Sequence, residues 1–428
     1  MRGRPRTVSG VVLIDLDTPG TAPSPSVRRP VRPGGPGGRW WALALALALV
    51  VLATLDQRPV PDLRPIAALP AGINQVVTTG DAFYVLRSDG HQGWQVGARA
   101  WSDGTERWHR PVAGPDPGMA TAGAAVFLTH QQCTSLAPPG VERIDPATGR
   151  TLWQAAGNIV AFRDVLLLAP PGRCGPVREL SAVSLTDGRP RWTIRFPQPR
   201  MIVPGLDWFA AFDAQDGATD TYTTTTGAHL ATGTIPAGAG TIPWGGWIES
   251  GGGATTAGDT LVVAIDRRLS TFDRRTLASG WTGDLDTAPS ALQECGALLC
   301  VTENGTLSAV DPVLGELRWQ HPVLSPNAAG PRYLTGFTDH GIRILGLSDG
   351  RVAADLPDWQ LCQGDGTGRT EVVLQHESDG RVVIALASLA TGTVRTLGRV
   401  AGFQGLCIAG PQRLLSIDPV GVTLLLRP

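Results

Sequence analysis

Two loops rich in aspartate are the segments of this sequence whose residue types could do chemistry. DAQDGATD contains Asp213, Asp216 and Asp220, and QGDGTG contains Asp365. Carboxylates at alternate positions are typical of calcium-binding loops, but neither segment has the complete loop spacing with a terminal glutamate. Because hairpin turns need aspartate and glycine for their own geometry, the pattern favours structural turns over a metal site.

Signals for nucleophilic or nucleotide chemistry are weaker still. The segment ESGGG, from Glu249 to Gly253, is faintly similar to the nucleophile loop of a serine protease. The seven histidines are scattered, and no motif pairs one of them with Ser250. The sequence contains no phosphate-binding loop, HExxH motif or dinucleotide fingerprint. We therefore predict no catalytic residue, no cofactor and no metal.

Composition narrows the classes of protein to which the chain can belong. Of 428 residues, 42% are hydrophobic and 17% are charged, which is enough apolar material for a folded core. The net charge is −1 and lysine is absent, whereas domains that bind nucleic acid are basic. We expect a folded protein that does not bind nucleic acid.

The N-terminal part of the chain differs in composition from the rest. Residues 1–39 contain seven arginines against Asp15 and Asp17, a net charge of +5, and this Pro/Gly-rich composition predicts a disordered tail. The uncharged run from Trp40 to Leu55 would span about 24 Å as a helix, slightly short of a bilayer core. Arginines that precede such a helix predict a cytoplasmic tail and an extracytoplasmic remainder.

A cleaved signal peptide is the alternative interpretation of the same segment. Val51-Leu52-Ala53 would pass as a small-residue cleavage site. However, the 39 residues that precede the apolar run are far more than a signal peptide usually has, and no lipobox cysteine follows. We expect a single-pass membrane anchor at 40–55 that is retained in the cell membrane.

A repeat of about 41 residues organises the remainder of the chain. Its mark is a glycine followed four residues later by a tryptophan, at Gly104 and Trp108, Gly149 and Trp153, Gly188 and Trp192, and Gly315 and Trp319. Degenerate copies carry the mark at Gly227, Leu277 with Trp281, Gly350 and Gly392. This period is typical of propeller blades or of helical arrays.

Residue types within the repeat decide for β-structure. Short runs of Val, Leu, Ile and Thr are separated by turn sequences such as Asn304-Gly305, and no long stretch keeps a 3.6-residue apolar period. We predict an all-β, eight-bladed propeller of four-stranded blades over 73–428, closed by a linker segment at 56–72. Each tryptophan should lie on an outer strand and pack against the neighbouring blade.

The pattern A-x-D-x-x-x-G-x-x-x-W, seen at Ala309, Asp311, Gly315 and Trp319, resembles the tryptophan-docking repeat of PQQ-like β-propellers. That family includes quinoprotein alcohol dehydrogenases and the BamB assembly lipoproteins. The resemblance covers about residues 63–428 and implies the propeller fold. The enzymes of the family also need a calcium ion and commonly carry a disulfide between adjacent cysteines, and this sequence has no adjacent pair.

Four of the six cysteines fall at corresponding positions of successive repeats, which suggests the disulfides Cys133 with Cys174 and Cys362 with Cys407. Cys295 and Cys300 flank one expected tight hairpin, which suggests a third disulfide between them. Six cysteines allow fifteen pairings, so the assignment rests on the repeat register. Disulfides also agree with an extracytoplasmic location.

Taken together, these features predict a membrane-anchored, non-catalytic scaffold in a bacterial cell envelope, whose propeller holds an envelope or secreted protein. An alternative is a PQQ- or metal-dependent oxidoreductase on the same fold. A second alternative is a sensor that binds a small ligand.

Overall fold

The computed structural model describes residues 7–8 and 11–12 and most of the chain from 61 to 426. The gaps in that range are 64, 70–71, 89–92, 115–116, 131–139, 163, 172–174, 238–252, 329–331, 365–369, 402–405, 411–412 and 419–420. The chain divides into two compact units, 1–59 and 60–428.

The first unit is described over two short strands. β1 (Thr7–Val8) pairs antiparallel with β2 (Val11–Val12). The predicted anchor at 40–55 and the remainder of the predicted tail lie outside the described residues. The residues that are described include no helix with the length and hydropathy needed to span a bilayer.

The second unit is all-β over its described residues, which confirms the predicted fold class. Its first strand is β3 (Pro65–Leu69). Sheets of four antiparallel strands then follow one another along the chain, each running from a first strand to a fourth; we call them blades.

The strands of blades 1 to 4 have the following bounds. Blade 1 comprises β4 (Ile73–Thr79), β5 (Ala82–Ser88), β6 (Trp94–Ala100) and β7 (Glu106–Val112); blade 2 comprises β8 (Gly118–Ala122), β9 (Ala125–His130), β10 (Gly140–Ile144) and β11 (Thr151–Ala156). Blades 3 and 4 share the long strand β15 (Pro190–Pro204). Blade 3 comprises β12 (Asn158–Phe162), β13 (Val165–Ala169), β14 (Val177–Ser184) and the first part of β15. Blade 4 comprises the second part of β15, β16 (Trp208–Phe212), β17 (Ala218–Thr223) and β18 (His229–Thr234).

Blades 5 to 8 repeat the same order. Blade 5 comprises β19 (Gly253–Ala257), β20 (Thr260–Ile265), β21 (Arg268–Asp273) and β22 (Ser279–Asp284); blade 6 comprises β23 (Ala291–Cys295), β24 (Leu298–Glu303), β25 (Thr306–Val310) and β26 (Leu317–Pro322). Blade 7 comprises β27 (Ser325–Ala328), β28 (Tyr333–Thr338), β29 (Gly341–Gly346) and β30 (Val352–Pro357); blade 8 comprises β31 (Gln360–Leu361), β33 (Glu371–Ser378), β34 (Arg381–Ser388) and β35 (Val394–Ala401).

A further sheet joins the two ends of the second unit. β3 pairs antiparallel with β38 (Gly421–Leu426), which continues to β37 (Arg413–Asp418) and β36 (Leu406–Ala409), and β32 (Gln363–Gly364) adds a parallel strand. We call this the closing sheet. The closing sheet carries no repeat mark, and it differs from the blades in having five strands, one of them parallel.

Burial follows the position of a strand within its blade. Second strands have both faces covered by neighbouring blades, so they are continuous apolar runs; Trp208–Phe212 is buried at every residue. Fourth strands have one open face and alternate, as in Leu317–Pro322, where exposed side chains flank the buried Trp319.

Among the described residues, the core of the second unit forms nine hydrophobic clusters, each between two successive sheets. Met119 of blade 2, for example, packs with Tyr84 of blade 1. Leu415 of the closing sheet packs with Phe83 of blade 1, and Leu414 packs with Ile384 of blade 8. The closing sheet therefore contacts both the first and the last blade, which completes a ring of sheets.

Two disulfides are present among the described residues. Cys295 and Cys300 lie within the first hairpin of blade 6, five residues apart in sequence. Cys362 and Cys407 are 45 residues apart and connect the start of blade 8 to the closing sheet. The third predicted pair, Cys133 with Cys174, lies outside the described residues.

We expect the longer crosslink to stabilise the fold more, because it removes more loop-closure entropy from the unfolded chain. The serine double variant C362S/C407S should lose about 4 kcal/mol of unfolding free energy, against about 2 kcal/mol for C295S/C300S. Chemical denaturation measures both. Equal losses, or a larger loss for C295S/C300S, would contradict this account.

Candidate interaction site

The turn before the fourth strand is closed by a backbone hydrogen bond across four residues, and in blade 2 an aspartate and a glycine hold it. In blade 2, the Gly149 N–H donates to the Asp145 carbonyl at 2.8 Å, and the Ala147 N–H donates to the Asp145 carboxylate at 2.8 Å. Gly149 has φ +72°, which only glycine adopts without strain. The bonds from the Ala147 N–H and the Thr148 hydroxyl lower the pKa of Asp145.

Each marked tryptophan packs on the turn glycine of the next blade. A Cβ atom on Gly149 would lie 2.5 Å from the Trp108 ring, so no side chain fits there. The Trp108 indole N–H donates to the carbonyl of Pro146 in the same turn at 2.9 Å. The tryptophan of one repeat therefore contacts the glycine of the following repeat.

Four further contacts have the same geometry. They pair Trp153 with Gly188, Trp192 with Gly227, Trp281 with Gly315, and Trp319 with Gly350. Their indole N–H groups donate to the carbonyls of Leu185, Thr224, Pro312 and Leu347 at 3.0–3.3 Å. Gly104, with φ +75°, occupies the same place in the turn of blade 1.

One junction, between blades 4 and 5, reverses the sizes of the two partners. Ala231 stands at the tryptophan position of blade 4, and Leu277 stands at the glycine position of blade 5 with φ +52°. Both side chains are buried in one cluster, where Leu277 reaches the space in front of Gly233. At this junction the large side chain therefore belongs to the turn of blade 5, and the small one belongs to the fourth strand of blade 4.

Two contacts between blades could not be recognised from the repeat. The Trp208 side chain is fully buried in the second strand of blade 4, and its N–H donates to the Gly258 carbonyl of blade 5 at 2.9 Å. On the innermost strands, the Gln75 amide bonds both the N–H and the carbonyl of Met119, at 2.7 and 2.8 Å. Neither residue recurs at a repeat position, so the sequence contains no periodic signal for it.

Each aspartate of the DAQDGATD segment accepts a hydrogen bond from a different nearby residue. Asp213 accepts from the Gln215 N–H, Asp216 accepts from the Ala218 N–H, and Asp220 accepts from the Thr232 hydroxyl. Throughout the described residues, no three His, Cys, Asp or Glu side chains come together as metal ligands would. Asp365, Glu249 and Ser250 lie outside the described residues.

Burial shifts the pKa of three residues that belong to different blades. Desolvation lowers the pKa of His130 in blade 2 and raises those of Tyr84 in blade 1 and Tyr222 in blade 4. Such shifts indicate an active site when they share a cleft with a specific charged partner. These three are explained by packing within separate blades.

A groove between blades 6 and 7 is the best candidate for binding. It has a volume of about 860 Å³. Its apolar wall is formed by Pro322, Val323, Leu324 and Pro357, and its polar edge includes Asn304, Asp339 and His340. We call it the Leu324 groove, because 45% of that leucine is exposed there.

The Leu324 groove is held in shape from below and from the side. Arg343 lies in its wall and forms a 2.5 Å ion pair with Asp355. The Leu324 N–H donates to the Phe337 carbonyl at 2.8 Å, and Phe337 is itself 37% exposed. An apolar centre within a polar rim is the usual anatomy of a protein interface.

A second groove between blades 4 and 5 is more polar. It measures about 690 Å³, and its lining includes Asp266, Arg267, Arg268 and Asp284. It contains no exposed large apolar side chain comparable with Leu324 among the described residues. Of these two grooves, the one between blades 6 and 7 is the one with an exposed apolar wall.

Comparison with protein families matches the chain to the family described as outer membrane protein assembly factor BamB. The match extends over residues 140–395, more than half of the chain. This confirms the resemblance seen in the repeat. No curated protein matches the chain by sequence.

Solved structures of other proteins are similar to this chain at low sequence identity. BamB from Moraxella catarrhalis is 14% identical, with 73% of this chain and 96% of that chain covered and a TM-score of 0.39. A eukaryotic initiation factor is 12% identical, with 81% and 93% covered and a TM-score of 0.50. A quinohemoprotein alcohol dehydrogenase from Comamonas testosteroni is 11% identical, with 86% and 76% covered and a TM-score of 0.41. At such identities the likeness concerns the fold alone.

The contact between tryptophan and glycine predicts a difference between two glycine-to-alanine variants. G123A introduces a side chain at positive φ with no atom within 4 Å, and should lower the free energy of unfolding by about 1 kcal/mol. G149A has the same backbone strain and also a clash with Trp108, and should lower the free energy of unfolding by about 2–4 kcal/mol in total. Denaturation curves measure both. If the two variants lose the same stability, the ring does not require the glycine.

Proposed function

The chain belongs to the family of the outer membrane protein assembly factor BamB, and from this premise we propose that it is a non-catalytic scaffold that holds a protein partner. The observation that carries the proposal is the Leu324 groove, an apolar recess with a polar edge on a rigid ring of sheets. Loops and recesses on a stiff scaffold are well suited to recognition.

We also propose where the propeller works. Residues 40–55 anchor the protein in the cell membrane of a bacterial envelope, residues 1–39 are cytoplasmic, and residues 60–428 are extracytoplasmic. The arginines of 1–39 and the uncharged run that follows support this orientation. The disulfides Cys295–Cys300 and Cys362–Cys407 support an oxidising compartment. We keep eight as the number of blades made by the repeat, with the closing sheet completing the ring.

The partner is best sought with a photo-crosslinking amino acid placed in the groove. At Leu324 it should give one reproducible adduct with an envelope or secreted protein in living cells. The matched control is the same amino acid at Leu152, which is 51% exposed on the last strand of blade 2 and should not give that adduct. Identical adducts at both positions, or none at Leu324, would contradict the assignment of the groove.

A titration of the purified full-length protein tests whether the chain is instead a PQQ-dependent enzyme. The full-length protein is titrated with PQQ and calcium while its tryptophan fluorescence is followed. We expect no saturable change. Saturable quenching with a defined stoichiometry would replace the scaffold by an oxidoreductase.

The orientation predicts opposite labelling of two single-residue variants. A membrane-impermeant maleimide added to whole cells should label A390C, which is exposed on blade 8, and should label S26C in the tail only after the cells are lysed. The unaltered protein controls for the native cysteines. Labelling of S26C in intact cells would overturn the cytoplasmic placement of the tail.

A further inference from the structure

The residues that line the Leu324 groove restrict the chemistry of what can bind there. Its apolar wall, from Pro322 to Leu324 with Pro357, carries no charge. Its volume of about 860 Å³ lies within the range of about 300–1,000 Å³ that is usual for recesses that take small ligands. The groove therefore fits an apolar side chain on a short segment of a partner, rather than a broad flat surface.

The arginine that lines the groove is already paired within the fold. Besides its ion pair with Asp355, Arg343 donates a hydrogen bond of 3.4 Å to the Pro322 carbonyl. Its side chain is only 16% exposed. Because its charge is neutralised by a close carboxylate, Arg343 has little to offer an acidic ligand.

Two further carboxylates lie at the edge of the groove. Asp339 is exposed at the tip of the turn between β28 and β29 and lines the groove. Asp358 is exposed next to Pro357, and its N–H donates to the His340 carbonyl at 2.5 Å, which holds it beside the same turn. Within the described residues, neither aspartate forms an ion pair. Together with Asp355 they outnumber the guanidinium of the groove, so this edge is negative.

The polar groove between blades 4 and 5 has a different charge balance. Its lining has Asp266 and Asp284 against Arg267 and Arg268, so carboxylates and guanidinium groups are equal in number. Asp266 has φ +52°, and Asp358 has φ +65°. Of the two grooves, the Leu324 groove is therefore the negative one, and the other offers matched positions for control variants.

From these contacts we propose that the partner presents a basic segment to the Leu324 groove, with an aliphatic or aromatic side chain next to lysine or arginine. The proposal rests on the proposed function and adds to it the chemistry of the partner. The apolar side chain fills the space against Leu324, and the neighbouring cation lies beside Asp339 and Asp358. Exposed ion pairs contribute little affinity, so the apolar contact supplies the binding and the charges select the partner.

A display library of short random peptides tests the charge of the occupant, with the full-length protein in detergent as the target. Peptides are selected on the unaltered chain and counter-selected on L324D. Those that depend on Leu324 should be positively charged, with lysine or arginine adjacent to an apolar residue. Neutral or acidic peptides would overturn this proposal and leave the groove as a binding site. If no peptide depends on Leu324, the proposed function of the groove fails as well.

Asparagine variants test the two carboxylates without a change of shape. Because asparagine adopts positive φ more readily than most residues, D339N/D358N keeps the backbone at Asp358. This double variant should bind a selected basic peptide roughly fivefold more weakly at low salt, measured by fluorescence anisotropy. High salt screens exposed charges and should remove the difference from the unaltered chain.

The matched control for the carboxylates is D266N/D284N in the groove between blades 4 and 5. It should bind the same peptide as tightly as the unaltered chain does. An equal loss of affinity in both double variants, or no loss in D339N/D358N, would contradict the role of the negative edge.

A second copy of the chain as the occupant has a separate readout. We expect the unaltered protein and L324D to sediment alike. A dimer that L324D dissociates would assign the groove to a second copy and overturn the proposal.

Discussion

The close approach of a tryptophan ring to a turn without a side chain is the contact on which the rest of this structure depends. Trp108 lies where a Cβ on Gly149 would be, and its indole N–H bonds a carbonyl of that turn. One residue thus sets both the distance between two blades and the height at which they meet. At five junctions along the chain, the contact holds the fourth strand of one blade against the turn of the next.

The Leu324 groove lies beside the last junction along the chain at which a tryptophan packs on a turn glycine, that of Trp319 with Gly350. Blade 6 has Trp319, but the equivalent residues are Ala354 in blade 7 and Thr396 in blade 8. The Leu324 groove is lined by the turns and strand ends of blades 6 and 7.

Features that depend on neighbours in sequence could be predicted, and features that depend on two distant segments could not. The turn at Asp311–Gly315 follows from local hydrogen bonds, and the register of the repeat suggests Cys362 with Cys407. The Leu324 groove needs residues of both blade 6 and blade 7, and β32 is two residues long, so neither has a local signal. The anchor at 40–55 lies outside the described residues.

The pair Ala231 and Leu277 makes the junction between blades 4 and 5 different from the junctions formed by a tryptophan and a glycine. Successive blades resemble one another, so a folding chain could in principle set a blade against the wrong neighbour. If the Leu277 turn met a tryptophan, two large side chains would occupy one space. The one reversed junction therefore acts as a key between blades 4 and 5, and it discriminates against assemblies in which the order of blades is shifted.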